Sequence, residues 1–405
     1  MDGYPNEPNE MRDEMLAKII DRPIRLYVVA TGAGAGIQQE IWRVPGCSAI
    51  LCGSSFPYSK EEVAAFAGLT PEKFASEEFA IDLACAAYLR AVDPSQPDVE
   101  PVGLAVTASV STVKAHRGEH RAHIVCVTRD RIVGRTVILT KTAGADAQHA
   151  RLVDGAEVDG AAICVLLAAL NPESEFLNSV CEDFEAKARE RFFKHPVFRP
   201  DGTRQGVDGL NPNRPLFPGA FDPPHEGHDE IARAVTNLSG DPRQGADWLE
   251  PVFAICSTSP HKANISVQEM LRRAKVLKRR IVLFTRDDPF YIDKARAFEG
   301  TPLVIGADAL VRMLDPKWGT DPKAMFEEFH QLGTTFYVFG REIDGVFVTA
   351  RDAITRFASS MTSPDVPLGS WSMFVAIPGR WDVSSTAVRT DQQHASPVNE
   401  EVSHA

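Results

Sequence analysis

Short apolar segments alternate with helical stretches along this chain, in two runs separated by a segment rich in Pro, Gly, Asn and Asp. In the N-terminal run, strand-like segments fall at residues 24–30, 48–52, 103–107, 123–127 and 137–139, and helical patterns at 78–91 and 159–170. In the C-terminal run, strand-like segments fall at 216–218, 252–257, 281–285, 303–305, 335–339 and 374–377, and helical patterns at 228–238, 267–278 and 324–332. This rhythm predicts two α/β domains, a layered one followed by a Rossmann-like, doubly wound and mostly parallel one.

The segment at 196–215 is the predicted domain boundary, because its Pro, Gly, Asn and Asp residues disfavour regular structure. Residues 171–194 just before it predict one polar helix. The predicted organisation is an acidic lead-in at 1–22, a first domain at 23–172, a helix and Pro/Gly-rich linker at 173–213, a second domain at 214–391 and a loose polar tail at 392–405.

Composition excludes several classes of partner. The formal net charge of −12 argues against a nucleic-acid backbone, because affinity for it comes from clustered Lys and Arg. No apolar run reaches membrane-spanning length, and the N-terminus lacks the pattern of a signal peptide. Seven scattered cysteines without a CxxC pair suit reduced thiols. We therefore expect a cytoplasmic protein that binds neither nucleic acid nor membranes.

Three segments of the C-terminal half each follow an apolar run, where a strand gives way to a turn or helix. The first is Phe217-Pro-Gly-Ala-Phe-Asp-Pro-Pro-His-Glu-Gly-His228. The second is Pro260-His-Lys262, and the third is Val383-Ser-Ser-Thr-Ala-Val-Arg389. Taken singly, they could be a surface turn, a solvated lysine and a capped helix. Together and in this order they favour one site.

The residue types of these segments suit a polyphosphate. Gly219 allows a ligand to approach the backbone closely, and a helix that starts near His228 points free N–H groups at a phosphate. His225 and His228, separated by two residues, can reach the same anionic group. Lys262 and Arg389 add positive charge. Transfer of a phosphoryl-type group requires mainly positioning and charge neutralisation, so no protein nucleophile is needed.

About residues 214–391 resemble the HxGH nucleotidyltransferase superfamily, and within it the nicotinamide/nicotinate mononucleotide adenylyltransferases. The three segments and Gly306-Ala-Asp308 carry the resemblance. It implies that His225 and His228 contact the ATP phosphates and stabilise the transition state. It implies that Lys262 and Arg389 hold the triphosphate and that Asp308 helps to position the nucleotide. Mg²⁺ would accompany ATP. Further nucleotide contacts are implied for Gly219, Ala220, Phe221, Ser384, Ser385 and Thr386.

The acceptor is less constrained by the sequence. The Ser-Tyr-Thr segment frequent in that branch has no match at residues 287–300. Trp318 lies two residues later than the aromatic residue that the branch places against the pyridine ring, so it is either an acceptor-binding ring or core packing. The closing segment at 383–389 is of the adenylyl rather than the cytidylyl kind. We expect ATP as donor and nicotinamide or nicotinate mononucleotide as the phosphorylated acceptor. The alternatives are cytidylyl or other nucleotidyl transfer to a sugar- or alcohol-phosphate, and a catalytically silent nucleotide-binding sensor.

In the N-terminal half, Thr31-Gly-Ala-Gly-Ala-Gly36 follows a strand but lacks the spacing of a dinucleotide-binding turn. About residues 26–170 resemble the CinA C-terminal domain, a nicotinamide mononucleotide deamidase fold, through Thr31-Gly32, Val44-Pro-Gly-Cys-Ser48, Pro57-Tyr-Ser59, Gly68-Leu69 and Leu104-Ala-Val-Thr107.

The catalytic Ser and Lys of that family fall on Val29 and Val63, and Thr107 alone of the catalytic set remains. Valine can neither attack an amide nor accept a proton. We therefore predict a non-catalytic module for ligand binding, regulation or dimerisation, through which the chain would form a homo-oligomer.

Overall fold

The computed structural model describes residues 14, 16–112, 118–141, 146–192, 196–201, 203–206, 210–211, 213–239, 250–258, 263–277, 280–285, 288–315, 321–361 and 373–381. The chain divides into two compact units. The first comprises Met1–Phe193, Asp201–Arg204 and Ser266–Lys275, and the second Lys194–Pro200, Gln205–Ile265 and Val276–Ala405. Both combine helices with a largely parallel or mixed sheet, which confirms the predicted α/β class.

The first unit is built on one mixed sheet. Its strands are β1 (Ile24–Thr31), β2 (Leu51–Ser55), β3 (Glu100–Ser109), β4 (Arg121–Val127), β5 (Ile132–Ile138) and β6 (Glu182–Asp183). They lie in the order β2-β1-β3-β4-β5-β6, with β1 parallel to β2 and β3 and the later pairs antiparallel. The helices are Ile37–Trp42, Lys60–Ala67, Glu77–Ala91, Ala147–Leu170, Glu175–Ser179 and Glu185–Phe192, with a 3₁₀ turn at Cys47–Ala49.

Two long helices cover opposite faces of this sheet. Leu26 and Val28 of β1 belong to one apolar cluster with helix Ala147–Leu170. Val29, the next residue along β1, is fully buried outside that cluster, on the face against which helix Glu77–Ala91 packs. Successive strand side chains point to opposite faces, so β1 is buried on both sides, as parallel strands in layered α/β domains are.

Two segments beyond residue 193 also belong to the first unit: Asp201–Arg204, within the predicted linker, and Ser266–Lys275. Arg204, in the first such segment, pairs with Asp82, as Arg191 does, and the Asp82 side chain is completely buried. Helix Val267–Val276, except for its last residue, is the second such segment, and it buries Met270 and Leu271.

The second unit is built on a second sheet. Its strands are β7 (Val197–Phe198), β8 (Arg204–Gln205), β9 (Leu216–Pro218), β10 (Val252–Cys256), β11 (Val282–Thr285), β12 (Leu303–Gly306), β13 (Phe336–Phe339) and β16 (Phe374–Ile377), and all of them except Arg204 of β8 belong to this unit. A separate hairpin is formed by β14 (Arg341–Ile343) and β15 (Val346–Val348), and the helices of the unit are Glu226–Ser239, Tyr291–Ala297, Ala307–Met313, Pro322–Gln331 and Ala350–Met361.

The strand order places a ligand crevice at one point of this sheet. The order is β16-β13-β12-β9-β10-β11-β7-β8, and β16 to β11 are mutually parallel. From β9 the chain first winds outward through β10 and β11, and then resumes on the other side through β12, β13 and β16. This is the doubly wound arrangement in which ligands bind beyond the carboxyl end of the strand where winding reverses. The end of β9, at Pro218, is that point.

Two predicted helices have different bounds in the structure. The predicted helix at 171–194 is, over its described residues, two short helices that end at Phe192, because the Asp183 carboxylate accepts a hydrogen bond from the Glu185 N–H at 2.7 Å and a second helix starts there. Helix Ala147–Leu170 begins twelve residues before the predicted 159, because its first turns expose Leu152 and Val153 and so hide the apolar periodicity. In the described part of the chain, no helix has the length and apolar character needed to cross a bilayer.

Candidate functional site

The predicted histidine segment lies at the switch point of the second sheet. Gly219, immediately after β9, donates its N–H to the Ala254 carbonyl of β10 at 3.1 Å. Phe221 then adopts φ +48°, a left-handed conformation uncommon for a residue with a side chain, and the turn leads into helix Glu226–Ser239, here called the histidine helix. The turn therefore brings both histidines to the end of the central strand.

His225 and His228 form a stacked pair. Their ring centroids are 3.7 Å apart and the ring planes differ by 25°. The His225 main-chain N–H donates to Nδ1 of His228 at 3.2 Å, and the His228 N–H donates to the His225 carbonyl at 2.9 Å. Nδ1 of His228 is thus an acceptor, and the proton of the neutral ring is on Nε2.

Both imidazoles are disfavoured as cations. Burial lowers the pKa of His228 to about 3, and the neighbouring His225 and Arg341 act in the same direction. Burial is also the main cause of the lowered pKa of His225, followed by Arg341, while Asp229 acts in the opposite direction. At neutral pH the pair therefore offers N–H donors without positive charge.

Aromatic packing fixes the orientation of His228. The ring of Phe221, only 1% exposed, meets the His228 ring edge-to-face at a centroid distance of 5.0 Å. The ring of Phe217 lies 6.0 Å from it. A Cβ atom at Gly219 would lie 2.7 Å from the Phe221 ring, so that ring occupies the space a side chain would take. Phe221, predicted to contact nucleotide, thus also packs behind the histidine.

A cleft of about 250 Å³ opens in front of the pair. It brings together six of the predicted site residues and several that the sequence did not indicate. The predicted ones are Gly219, Ala220, Phe221, His225, His228 and Asp308. A second, more open cavity of about 680 Å³ also includes both histidines, so the pair lies between two cavities.

Two arginines that line the cleft, Arg312 and Arg341, were not predicted from the sequence to belong to the site. Arg312 pairs with the Asp308 carboxylate from one turn further along helix Ala307–Met313. Arg341 approaches the same carboxylate, with its Nε 3.8 Å from Oδ1. Arg341 follows Phe339, the last residue of parallel strand β13, by two residues, so the rule that functional side chains follow such strands could have found it.

The remaining predicted residues lie outside the described part of the chain. They are Lys262, Trp318, Ser384, Ser385, Thr386 and Arg389. Within the described ranges, no group of three or more His, Cys, Asp or Glu side chains is placed to hold a metal ion.

In the first unit, the three positions that the resemblance assigns to a catalytic set are buried. Val29 and Val63 are 0% and 2% exposed, so neither reaches solvent. Thr107, which is 1% exposed, donates its hydroxyl to the Phe74 carbonyl. All three positions of the CinA catalytic set are therefore packed inside the unit.

The glycine turn that follows β1 is also filled. A Cβ atom at Gly36 would lie 2.1 Å from Oδ2 of Asp159, so that carboxylate occupies the start of helix Ile37–Trp42. Burial raises the pKa of Asp159 to about 6, while hydrogen bonds from the Gly36 and Ile37 N–H groups lower it. An acidic side chain thus stands where a dinucleotide phosphate would bind.

No protein-family model matches the chain, and no curated protein matches its sequence. Among solved structures, the competence/damage-inducible protein CihA from Agrobacterium tumefaciens is 15% identical, with a TM-score of 0.34 over 42% of this chain and 99% of its own. A competence-damaged (CinA) superfamily protein from Klebsiella pneumoniae is 14% identical, with a TM-score of 0.32 over 40% of this chain and 98% of its own. A CinA superfamily protein from Enterobacter cloacae is similar over 42% of this chain, at 14% identity and a TM-score of 0.31, and over 98% of its own. The structural similarity covers 40% to 42% of this chain and almost the whole of each of these proteins.

Proposed function

We propose that the second unit is a nucleotidyltransferase that moves an adenylyl group from ATP to a small phosphorylated acceptor and releases pyrophosphate. The observation that carries the proposal is the stacked His225–His228 pair at the carboxyl end of β9, facing a cleft that also contains Arg341. This is the point of a doubly wound sheet where a ligand binds.

The protonation state of the pair suits transfer between phosphates. A neutral imidazole with its proton on Nε2 can donate a hydrogen bond to an oxygen of the α-phosphate as negative charge develops there. Because His228 is held by a main-chain N–H and by aromatic packing, that donor is already oriented before the reaction. Proton transfer is not required, since the attacking group is itself a phosphate oxygen.

Positive charge would come from residues on several elements. Arg341 and Arg312 line the cleft. The family resemblance implies that Lys262 and Arg389 hold the triphosphate. These side chains would position the two anionic substrates and neutralise the charge on the leaving pyrophosphate.

Mg²⁺ would enter with the nucleotide. Mg²⁺ keeps several waters and is usually bound by substrate phosphates and one or two protein carboxylates. Mg²⁺ would then neutralise phosphate charge as part of the substrate.

Nicotinamide or nicotinate mononucleotide is the proposed acceptor, on the resemblance of the whole unit to that adenylyltransferase branch. Cytidylyl or other nucleotidyl transfer to a sugar- or alcohol-phosphate is the alternative reaction.

The first unit is proposed to be a non-catalytic module for ligand binding, regulation or oligomer formation. Its buried Val29 and Val63 and its internally bonded Thr107 support this role.

The test is pyrophosphate release by the full chain, with ATP or CTP as donor and a panel of mononucleotides, sugar phosphates and alcohol phosphates. We expect turnover with ATP and a pyridine mononucleotide. Turnover with CTP alone would favour the alternative reaction. Tight nucleotide binding without turnover of any pair would reject the transferase in favour of a nucleotide sensor.

A further inference from the structure

Asp308 is expected from the resemblance to position the nucleotide, but in the structure its carboxylate is engaged by guanidinium groups. Oδ2 pairs with Nη2 of Arg312, and Oδ1 faces Nε of Arg341 at 3.8 Å. We infer that Arg312 and Arg341 form a phosphate-binding subsite of the cleft, and that Asp308 is a positioning residue that acts on the ligand through them. The inference rests on the proposed nucleotidyl transfer and names the groups that bind one of its phosphates.

The local backbone is shaped to hold Arg341 against the carboxylate. A Cβ atom at Gly306 would lie 2.3 Å from Oδ1 of Asp308 and 3.0 Å from Cγ of Arg341. In this arrangement the space beside Gly306 is taken by the Asp308 and Arg341 side chains. The Arg341 guanidinium also lies 5.9 Å from the centroid of the Phe339 ring, which limits its position on the other side.

Arg341 is also close to the reacting centre. It lies near enough to both His225 and His228 to lower the pKa of each imidazole. A phosphate hydrogen-bonded by Nε2 of His228 would therefore be within the field of the Arg341 guanidinium, which can bind two phosphate oxygens at once.

Arg312 pairs with the other oxygen of the Asp308 carboxylate, Oδ2. Its Nε donates to the Asp308 carbonyl at 3.2 Å, so its stem is held along the helix while the side chain is 55% exposed. Two guanidinium groups and one carboxylate leave one net positive charge among these three cleft residues. The histidines add none, because their pKa values are lowered. A surplus of positive charge in a cleft favours an anion over a neutral base or sugar.

The phosphate could belong to ATP or to the acceptor, and the chemistry of the subsite is the same for both. Kinetics separate the two sources. If the subsite holds ATP, Arg341→Gln and Arg312→Gln raise the KM for ATP. If it holds the acceptor, they raise the KM for the acceptor. We expect about a tenfold rise for one substrate, which is the loss of a charged hydrogen bond of about 1.4 kcal/mol.

Direct binding tests the subsite without turnover. Inorganic phosphate and pyrophosphate are titrated into the full chain by calorimetry, with thermal unfolding as the check that each variant folds. We expect Arg341→Gln and Arg312→Gln to weaken the binding of at least one anion about tenfold. The matched control is Arg296→Gln, an exposed arginine that pairs with Glu328 and does not line the cleft. Unchanged binding of both anions by both variants would overturn the inference. Anion binding that depends on the arginines in a chain without transferase activity would uphold the subsite while the proposed function fails.

The direction in which Asp308→Asn changes anion affinity distinguishes a positioning role from simple electrostatic repulsion. Removal of a negative charge near an anion should tighten anion binding, whereas removal of the group that holds two arginines should weaken it. We expect Asp308→Asn to weaken binding in the native chain and Asp308→Glu to restore part of it. In the Arg312→Gln/Arg341→Gln chain, Asp308→Asn should no longer weaken binding. Weakening of the same size in both backgrounds would mean that Asp308 contacts the ligand directly.

Discussion

The two units contain the same local arrangement, a parallel strand that ends in a glycine turn and leads to a helix, with opposite outcomes. After β1, the helix start is occupied by the Asp159 carboxylate, and Val29 nearby is buried. After β9, the turn leaves His225 and His228 facing a cleft. A strand–turn–helix position is therefore a site only where the chain leaves its space unfilled. Substitutions in the two regions test this contrast.

The largest effect on activity is expected from a substitution in the turn after β9, where the histidines face the cleft. His228→Ala should lower kcat about 100- to 1000-fold, the usual cost of one oriented oxyanion donor. The Kd for ATP should change much less, because the donor acts mainly in the transition state. Single-turnover kinetics and calorimetry give the two values. Asn237→Ala, at an exposed position of the same helix, is the control. Equal losses in kcat and in nucleotide affinity would show that the histidine only binds.

Val63 of helix Lys60–Ala67 is the buried position that the CinA resemblance aligns with a catalytic lysine, and it should not accept that residue. Val63→Lys would place an unpaired ammonium at a buried position and should cost about 3 kcal/mol in the free energy of unfolding. Val346→Lys is the matched control, since that valine is 62% exposed. Urea unfolding of both variants gives the difference. Ammonia release from nicotinamide mononucleotide by Val29→Ser/Val63→Lys, in a chain that stays folded, would contradict the closure of this region.

His228, in the turn after β9, should also make the stability of the folded chain sensitive to acid. The pKa of His228 is about 3 in the folded chain, below its ordinary value of 6.5, so between these values the unfolded chain binds more protons. Native stability should therefore fall relative to His228→Asn as the pH drops from 6.5 towards 3, by at most about 1.4 kcal/mol per pH unit. Denaturant unfolding at several pH values measures this, and parallel pH profiles for the two chains would refute it.

Asp159, which fills the turn after β1, should change stability with pH in the opposite direction, and this is the smallest expected effect. The pKa of Asp159 is raised from 3.8 to about 6, so its contribution to stability is fully present below 3.8 and is lost as the pH rises through 6. Relative to Asp159→Asn, the native chain should lose stability between about pH 4 and about pH 6.5, with the same measurement. A loss in the acid direction would mean that the hydrogen bonds from Gly36 and Ile37 outweigh burial.

The sequence was sufficient for elements that depend on local patterns. Six parallel strands of the second sheet lie within two residues of their predicted ends, because each is an apolar run bounded by turn residues. His225, His228 and Asp308 share one cleft, as expected from their places after β9 and β12. The positions of Lys262, Trp318 and Arg389 remain predictions.

The features that were not predicted depend on contacts between distant segments. Arg341 lies against Asp308, which is 33 residues away in sequence; its place after β13 marks the end of a strand but does not reveal this partner. Asp159, far along the chain from the glycine turn that it fills, is a similar case. That Val29 and Val63 are buried rather than exposed also depends on tertiary packing.

Helix Val267–Val276 connects β10 to β11 along the chain, yet it belongs to the first unit. Expression of the first half alone, cut before Asp201, would remove Met270 and Leu271 from the first unit and deprive Asp82 of Arg204. The second half alone would carry this helix without the rest of the first unit, to which its buried Met270 and Leu271 belong. A single cut in the chain therefore does not separate the two units, because each is assembled from more than one segment.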